Sequence, residues 1–253
     1  MSLTVPPPSS DSPKDTTAVA YWPPTTFGPD LFTHLGAQRP DNKWLIIGPA
    51  RSGSTFHKDP NGTSAWNAVI TGRKYWLMFP SHITSTPTGL PPGIFLSEDK
   101  SEITSPLSIA EYLLTFHAEA RLTAGCVEGI CEAGEVLHVP SGWFHLVVNL
   151  EESIAVTQNF VPRKKLPDVL QFLRDTPDQA SGFRDNVQDS YGLFVDRLRE
   201  KDGEVLDEAM AVLERRDKAR GKGRWEELTK GPVKEDVAGE DEEEGGGFSF
   251  GFT

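Results

Sequence analysis

Residues Ser54–Pro80 read STFHKDPNGTSAWNAVITGRKYWLMFP, and the run opens on His57-Lys58-Asp59. In an extended strand, residues i and i+2 point to the same face, so an imidazole and a carboxylate emerge side by side. One more histidine would complete a 2-His-1-carboxylate set, which suits Fe(II) with open coordination positions. His145, far downstream in GEVLHVPSGWFHLVVNL, is a candidate. A His-x-Asp tripeptide alone is weak evidence, since a surface hydrogen bond explains most of them. Its position is more telling: the turn Pro60-Asn61-Gly62 follows at once and puts the pair at a strand end.

Working outward, Ser54–Asp59, Ser64–Ile70 and Lys74–Phe79 read as three short strands with turn signals between them. Upstream, Trp44–Ile47 is an apolar run of strand length, and Asp30 caps a short helix that ends near Gly36. Downstream, a loop rich in Pro and Ser runs from Ser81 to Ser97. Pro106–Ala120 reads as a helix with Ser108 as its cap. Glu135–Val139, Trp143–Leu150 and Ser153–Phe160 read as strands. Such spacing predicts a mainly β domain of sandwich, barrel or jelly-roll type.

The strand faces are informative. His145, Val147 and Asn149 share one face, with Phe144, Leu146, Val148 and Leu150 on the other. Ser153, Ala155, Thr157 and Asn159 likewise share a small, polar face, which fits a cavity or, as the plainer explanation, a solvated edge. Lys74 has the parity of Trp76 and Met78, which carries its stem inward although lysines are usually exposed. A buried ammonium needs an anion. A small dicarboxylate would serve, with Thr157 as a second donor and Asn67 in support.

With those residues in view, GPARSGSTFHKDPNGTSAWNAVITGRKYWLMFP and AGEVLHVPSGWFHLVVNLEESIAVTQNF resemble the JmjC family of Fe(II)- and 2-oxoglutarate-dependent oxygenases. The resemblance is to its lysyl hydroxylase/arginine demethylase branch and to fungal-type F-box proteins carrying a JmjC domain. It covers roughly Tyr21 to Phe160. It implies a double-stranded β-helix, a cupin-like jelly roll, with flanking and C-terminal helices. It implies that His57, Asp59 and His145 hold Fe(II). Lys74 and Thr157 would bind the far carboxylate of 2-oxoglutarate, while Asn67 and Ser54 match cosubstrate-pocket positions and Asn149 matches a residue near the metal. Dioxygen is the second cosubstrate, and the implied reaction is hydroxylation or N-demethylation of a side chain on a protein substrate.

Members of that branch carry a further strand before the Asp30-Leu31-Phe32 segment, with a tyrosine that touches 2-oxoglutarate. The residues before Tyr21 offer no counterpart to it. Two other readings therefore stay open: a truncated interaction module without turnover, and a cupin-type metalloenzyme of another class.

The chain of 253 residues carries 20 prolines and a formal net charge of −12. That charge disfavours direct nucleic-acid binding and is compatible with a basic peptide partner. It leaves the oligomeric state open. Cys126 and Cys131 cannot make a disulfide framework, so free thiols and a reducing compartment are expected. With no apolar run of membrane length, the expectation is a soluble nuclear or cytoplasmic protein. The domain reading is a disordered segment over residues 1–20, the jelly roll over 21–162, a helical region over 163–230, and a disordered acidic, Gly-rich tail over 231–253. Within the helical region, Leu166–Arg174 and about Val187–Lys218 have helical patterns, the second charged and amphipathic. The basic cluster Arg215–Arg224 is either a nuclear signal or a solvated helix end.

Overall fold

A computed structural model describes residues 23–106 and 108–229. The expected disordered ends, 1–20 and 231–253, lie outside the described residues. Among the described residues ten strands occur in chain order: β1 Lys43–Gly48, β2 Gly53–His57, β3 Ser64–Thr71, β4 Arg73–Phe79, β5 Phe95–Leu96, β6 Ile103–Ser105, β7 Val127–Glu132, β8 Val136–Val139, β9 Phe144–Asn149 and β10 Ser153–Phe160. The α-helices described with them are α1 Ile109–Thr115, α2 His117–Leu122, α3 Leu166–Asp175, α4 Ser190–Lys201 and α5 Gly203–Thr229.

Two four-stranded antiparallel sheets, ordered β1-β10-β3-β8 and β2-β9-β4-β7, form the jelly roll, and β5 and β6 make a separate hairpin. Residues paired across an antiparallel ladder point to the same face. One face of the first sheet therefore carries Ala65, Asn67, Ala155, Thr157 and Asn159. One face of the second carries Lys74, Trp76, Met78, His145, Val147 and Asn149. Ala65, Val69, Trp76, Met78, Cys131, Val139 and Val147 pack together from both sheets, which makes these the inner faces.

The outer face of the second sheet is equally apolar. Leu77, Phe79, Phe144, Leu146 and Val148 pack there with Phe56 and the fully buried Tyr112 of α1. A third cluster joins Leu31, Phe32, Leu35 and Val161 to α3, α4 and the start of α5. Residues on both sides of position 162 thus share one apolar core. By contacts the chain divides into a unit ending at Leu213 and another beginning at Glu214. β1 is an edge strand with Trp44, Leu45, Ile46 and Ile47 all exposed. No helix among the described residues is long and apolar enough to cross a membrane.

Several local expectations hold. Asp30 caps the 3-10 helix Leu31–Gln38 by accepting from Phe32 N at 3.1 Å, and the same Oδ1 accepts from Val161 N at 2.9 Å. Ser108 caps α1 by accepting from Glu111 N at 3.0 Å.

Other elements differ from the sequence reading. The helix expected over Pro106–Ala120 starts at Ile109 and kinks at Phe116, whose φ of −118° departs from helical values. The helix expected over Val187–Lys218 is broken at Asp202 (φ −151°, ψ 51°), just before a glycine, into α4 and α5. β5, β6 and β7 were not expected; β7 has Gly129 in its interior and charged residues along an exposed edge.

Candidate active site

β2 delivers the first histidine by an irregular route. Ser54 pairs with Val147 and His57 with His145, so three steps on β2 match two on β9. That bulge inserts one residue and reverses the parity. Ser54 and His57 therefore share the inner face, which simple alternation denies them. Ser54 remains exposed on this edge strand. The ladder ends at His57; Lys58 and Asp59 lie beyond it, and Asp59 leads with extended dihedrals into the turn Pro60–Gly62.

The His57 and His145 rings lie 4.1 Å apart, centroid to centroid. His57 Nδ1 is 2.8 Å from the carbonyl of Thr55, and His145 Nδ1 is 3.3 Å from that of Trp143. A carbonyl only accepts, so Nδ1 carries the proton in each neutral ring and Nε2 keeps its lone pair. Metal-ligating histidines are usually held by a bond of this kind.

Burial, and then the charge of His57, push the His145 imidazole down to about 3, against a smaller upward pull from the Trp143 carbonyl. His145 is therefore neutral at ordinary pH. Burial raises the Asp59 carboxyl to about 6, opposed by His57 and by a bond from Asn159 Nδ2 to Oδ1 at 3.3 Å. Asp59 Oδ2 is buried with no hydrogen-bond partner. Two imidazole lone pairs and an orphaned carboxylate oxygen are a donor set that fits a divalent first-row metal. The donors are neighbours rather than a closed cage: among the described residues, no three His, Cys, Asp or Glu side chains form a group able to hold a metal ion.

Farther along the same inner face, Lys74 is buried, and its Nζ donates to Asn149 Oδ1 at 2.6 Å. Asn149 Nδ2 in turn donates to Ser52 Oγ at 2.9 Å. No ion pair neutralises Lys74 among the described residues, and burial lowers its pKa, partly offset by Cys131. Asn67 and Thr157 face each other across β3 and β10. Thr157 Oγ1 donates to the Trp66 carbonyl at 2.9 Å, which occupies the hydrogen expected for a carboxylate. Asn67 Oδ1 and Trp76 Nε1 are buried without partners. Cys126 and Cys131 are free thiols, as expected.

The eight sequence-predicted residues thus fall into an imidazole–carboxylate group at one end and Lys74 with Asn149 at the other. Asn67 and Thr157 lie on the opposing sheet, and Ser54 lies on the rim. Sequence reasoning passed over Asn159, although its parity with Thr157 was visible, and Asn61, which reads as an ordinary turn residue.

A cleft of about 990 Å³ opens onto the His57–Asp59 end. Its walls include Trp143, the β5–β6 hairpin and one side of α3, where Asp168, Gln171, Phe172 and Asp175 follow helical spacing. Lys58 stands at this mouth with its ammonium 4.2 Å from the centre of the Phe144 ring.

A family model described as a cupin-like domain matches residues 13–165. The arginine-specific demethylase JMJ22 of Arabidopsis thaliana is 49% identical over 176 residues, covering 68% of this chain and 34% of the relative. The bifunctional arginine demethylase and lysyl-hydroxylase psr-1 of Caenorhabditis elegans is 35% identical over 149 residues, covering 55% of this chain and 35% of its own. The 2-oxoglutarate and iron-dependent oxygenase JMJD4 of Homo sapiens is 31% identical over 157 residues, covering 59% and 35%. The chain spans about a third of the length of these relatives. Jelly-roll topology, the matched family model and these relatives agree: the chain belongs to the cupin-like domain family, in its JmjC branch.

Proposed function

We propose that this chain is the catalytic domain of an Fe(II)- and 2-oxoglutarate-dependent oxygenase that hydroxylates or N-demethylates a side chain of a protein substrate. The observation that carries the proposal is Lys74, a buried ammonium without an anion, on the same inner face as His145. The ordinary explanation for a buried lysine is a paired carboxylate, and the described residues supply none. The far carboxylate of 2-oxoglutarate has the charge and size that the position lacks.

In this reading His57, Asp59 and His145 hold the metal through Nε2, Oδ2 and Nε2. Bound Fe(II) would supply the redox chemistry by which 2-oxoglutarate, dioxygen and a substrate C–H give succinate, carbon dioxide and a C–OH. The protein's part is to bind and orient. Lys74 would hold the cosubstrate by its far end, with Asn149 keeping the ammonium in line. Thr157 would contribute by turning its hydroxyl from the Trp66 carbonyl. Trp76 and Met78 keep water from the space between. The cleft beside Asp59 would take the substrate side chain. The relatives named for arginine and lysine chemistry support a basic one.

Succinate release from 2-oxoglutarate, with Fe(II) and a basic peptide array, tests the proposal. A rate no higher than that of the His57→Ala, Asp59→Ala double variant would leave a binding module in its place.

A further inference from the structure

Asp59 lies outside any sheet ladder, between the end of β2 at His57 and the turn Pro60–Gly62. That turn is unusual. Asn61 and Gly62 have φ of 57° and 65°, two successive residues in the left-handed region. Asparagine tolerates that region better than most residues, but it still needs support there.

The support comes from 120 residues away. Asn61 Nδ2 donates to the Ser181 carbonyl at 2.9 Å, and Ser181 N–H donates to Asn61 Oδ1 at 3.0 Å. The two bonds close a ring that resembles one rung of a sheet. Asn61 is only 2% exposed, so water does not compete for its amide. Gly62 is pinned on its other side: its carbonyl accepts from Ser141 Oγ at 2.6 Å, and a Cβ at this position would lie 3.2 Å from Phe172 Cβ of α3. Thr63 Oγ1 closes the turn on the Pro60 carbonyl at 2.8 Å.

We infer that Asn61 is a positioning residue for the metal site. Its amide, clamped on the Ser181 backbone, fixes the turn that follows Asp59 and so the place of the Asp59 carboxylate. The segment after α3 thereby becomes part of the site. The inference rests on the proposed role of Asp59 as a ligand.

Co(II) titration of the whole chain, by calorimetry and by the visible d–d bands, tests it without turnover. Asn61→Gly keeps the left-handed turn and removes the clamp. Its Co(II) affinity should fall at least tenfold, and its d–d spectrum should move toward that of Asp59→Ala. Wild-type affinity and spectrum in Asn61→Gly would overturn the inference. If wild type binds no Co(II), or Asp59→Ala binds it as wild type does, the ligand assignment itself fails. Should Asn61→Gly not fold, Ser181→Pro decides on the same readouts. It deletes one of the two bonds, and Ala180 is already extended as the residue before proline must be. A loss of about threefold or more is expected, and an unchanged affinity and spectrum would overturn the inference.

Discussion

Lys74 and Asn149 face each other across β4 and β9, and the lysine ammonium rests 2.6 Å from the asparagine oxygen. An amide oxygen orients a cation without neutralising it. In the proposed complex the 2-oxoglutarate carboxylate supplies the missing charge. Removing the ammonium then leaves a buried carboxylate unpaired, which typically costs about 3–5 kcal/mol, or roughly two to four decades in affinity. Lys74→Ala should therefore lose 2-oxoglutarate binding while Co(II) binding stays near wild type. Lys74→Arg should recover little, because a planar fork does not replace a compact ammonium. Calorimetry that finds Lys74→Ala within threefold of wild type for 2-oxoglutarate removes Lys74 from the pocket.

The pH dependence of metal binding follows from Asp59. Its carboxyl, raised to about 6 by burial, keeps its proton below that pH, and the proton competes with the metal. His145, lowered to about 3 by burial and by His57, is neutral throughout this range. Co(II) affinity should fall as pH drops below about 6, approaching about tenfold per pH unit, one proton being displaced for each metal bound. It should flatten above that value. A flat profile between pH 5 and 7.5 would mean that Asp59 is not a ligand.

Two glycines should behave in opposite ways. A Cβ on Gly53 would lie 1.9 Å from the Val147 carbonyl oxygen, and backbone cannot yield there without opening β2 from β9. Gly53→Ala should cost about 1–3 kcal/mol or more and should weaken Co(II) binding, because β2 carries His57. Gly129 of the edge strand β7 has nothing within 4 Å of a built Cβ. Gly129→Ala should be neutral or stabilising by up to about 1 kcal/mol, through the unfolded chain. Thermal unfolding of both variants checks the pair, and equal effects would mean that the β2–β9 approach is not limiting.

Much of this was legible in the sequence. Strands with clear alternation, β9 and β10, fell where their side-chain patterns put them. Lys74 could be placed inward because its neighbours Trp76 and Met78 demand burial. The bulge in β2 was not legible, since a one-residue insertion leaves no mark in composition. It is what turns both Ser54 and His57 inward. β7 was hidden because an exposed edge strand needs no apolar face and tolerates Gly129. The break at Asp202 was masked by amphipathic patterning that continues on both sides of it. Asn61 looked like an ordinary turn residue because its partner, Ser181, is remote in sequence.

Asn159 joins the Asp59 carboxylate to Thr63, on the far side of the turn Pro60–Gly62. Its Nδ2 lies 3.3 Å from Asp59 Oδ1 and 3.0 Å from Thr63 Oγ1, while its backbone carbonyl accepts from Arg39. The bond to Asp59 favours the charged carboxylate and holds its pKa below the value that burial alone would set. Asn159→Ala deletes that donor, so the carboxyl should keep its proton to a higher pH. A hydrogen bond of about 1 kcal/mol corresponds to a shift of roughly 0.7 pH unit. The pH at which Co(II) affinity begins to fall should therefore move up by about half a unit to one unit. Affinity well above that pH should change little, because the ligands themselves remain. A uniform loss at all pH values would mean that Asn159 acts by packing instead. An unchanged midpoint would remove it from the environment of Asp59 altogether.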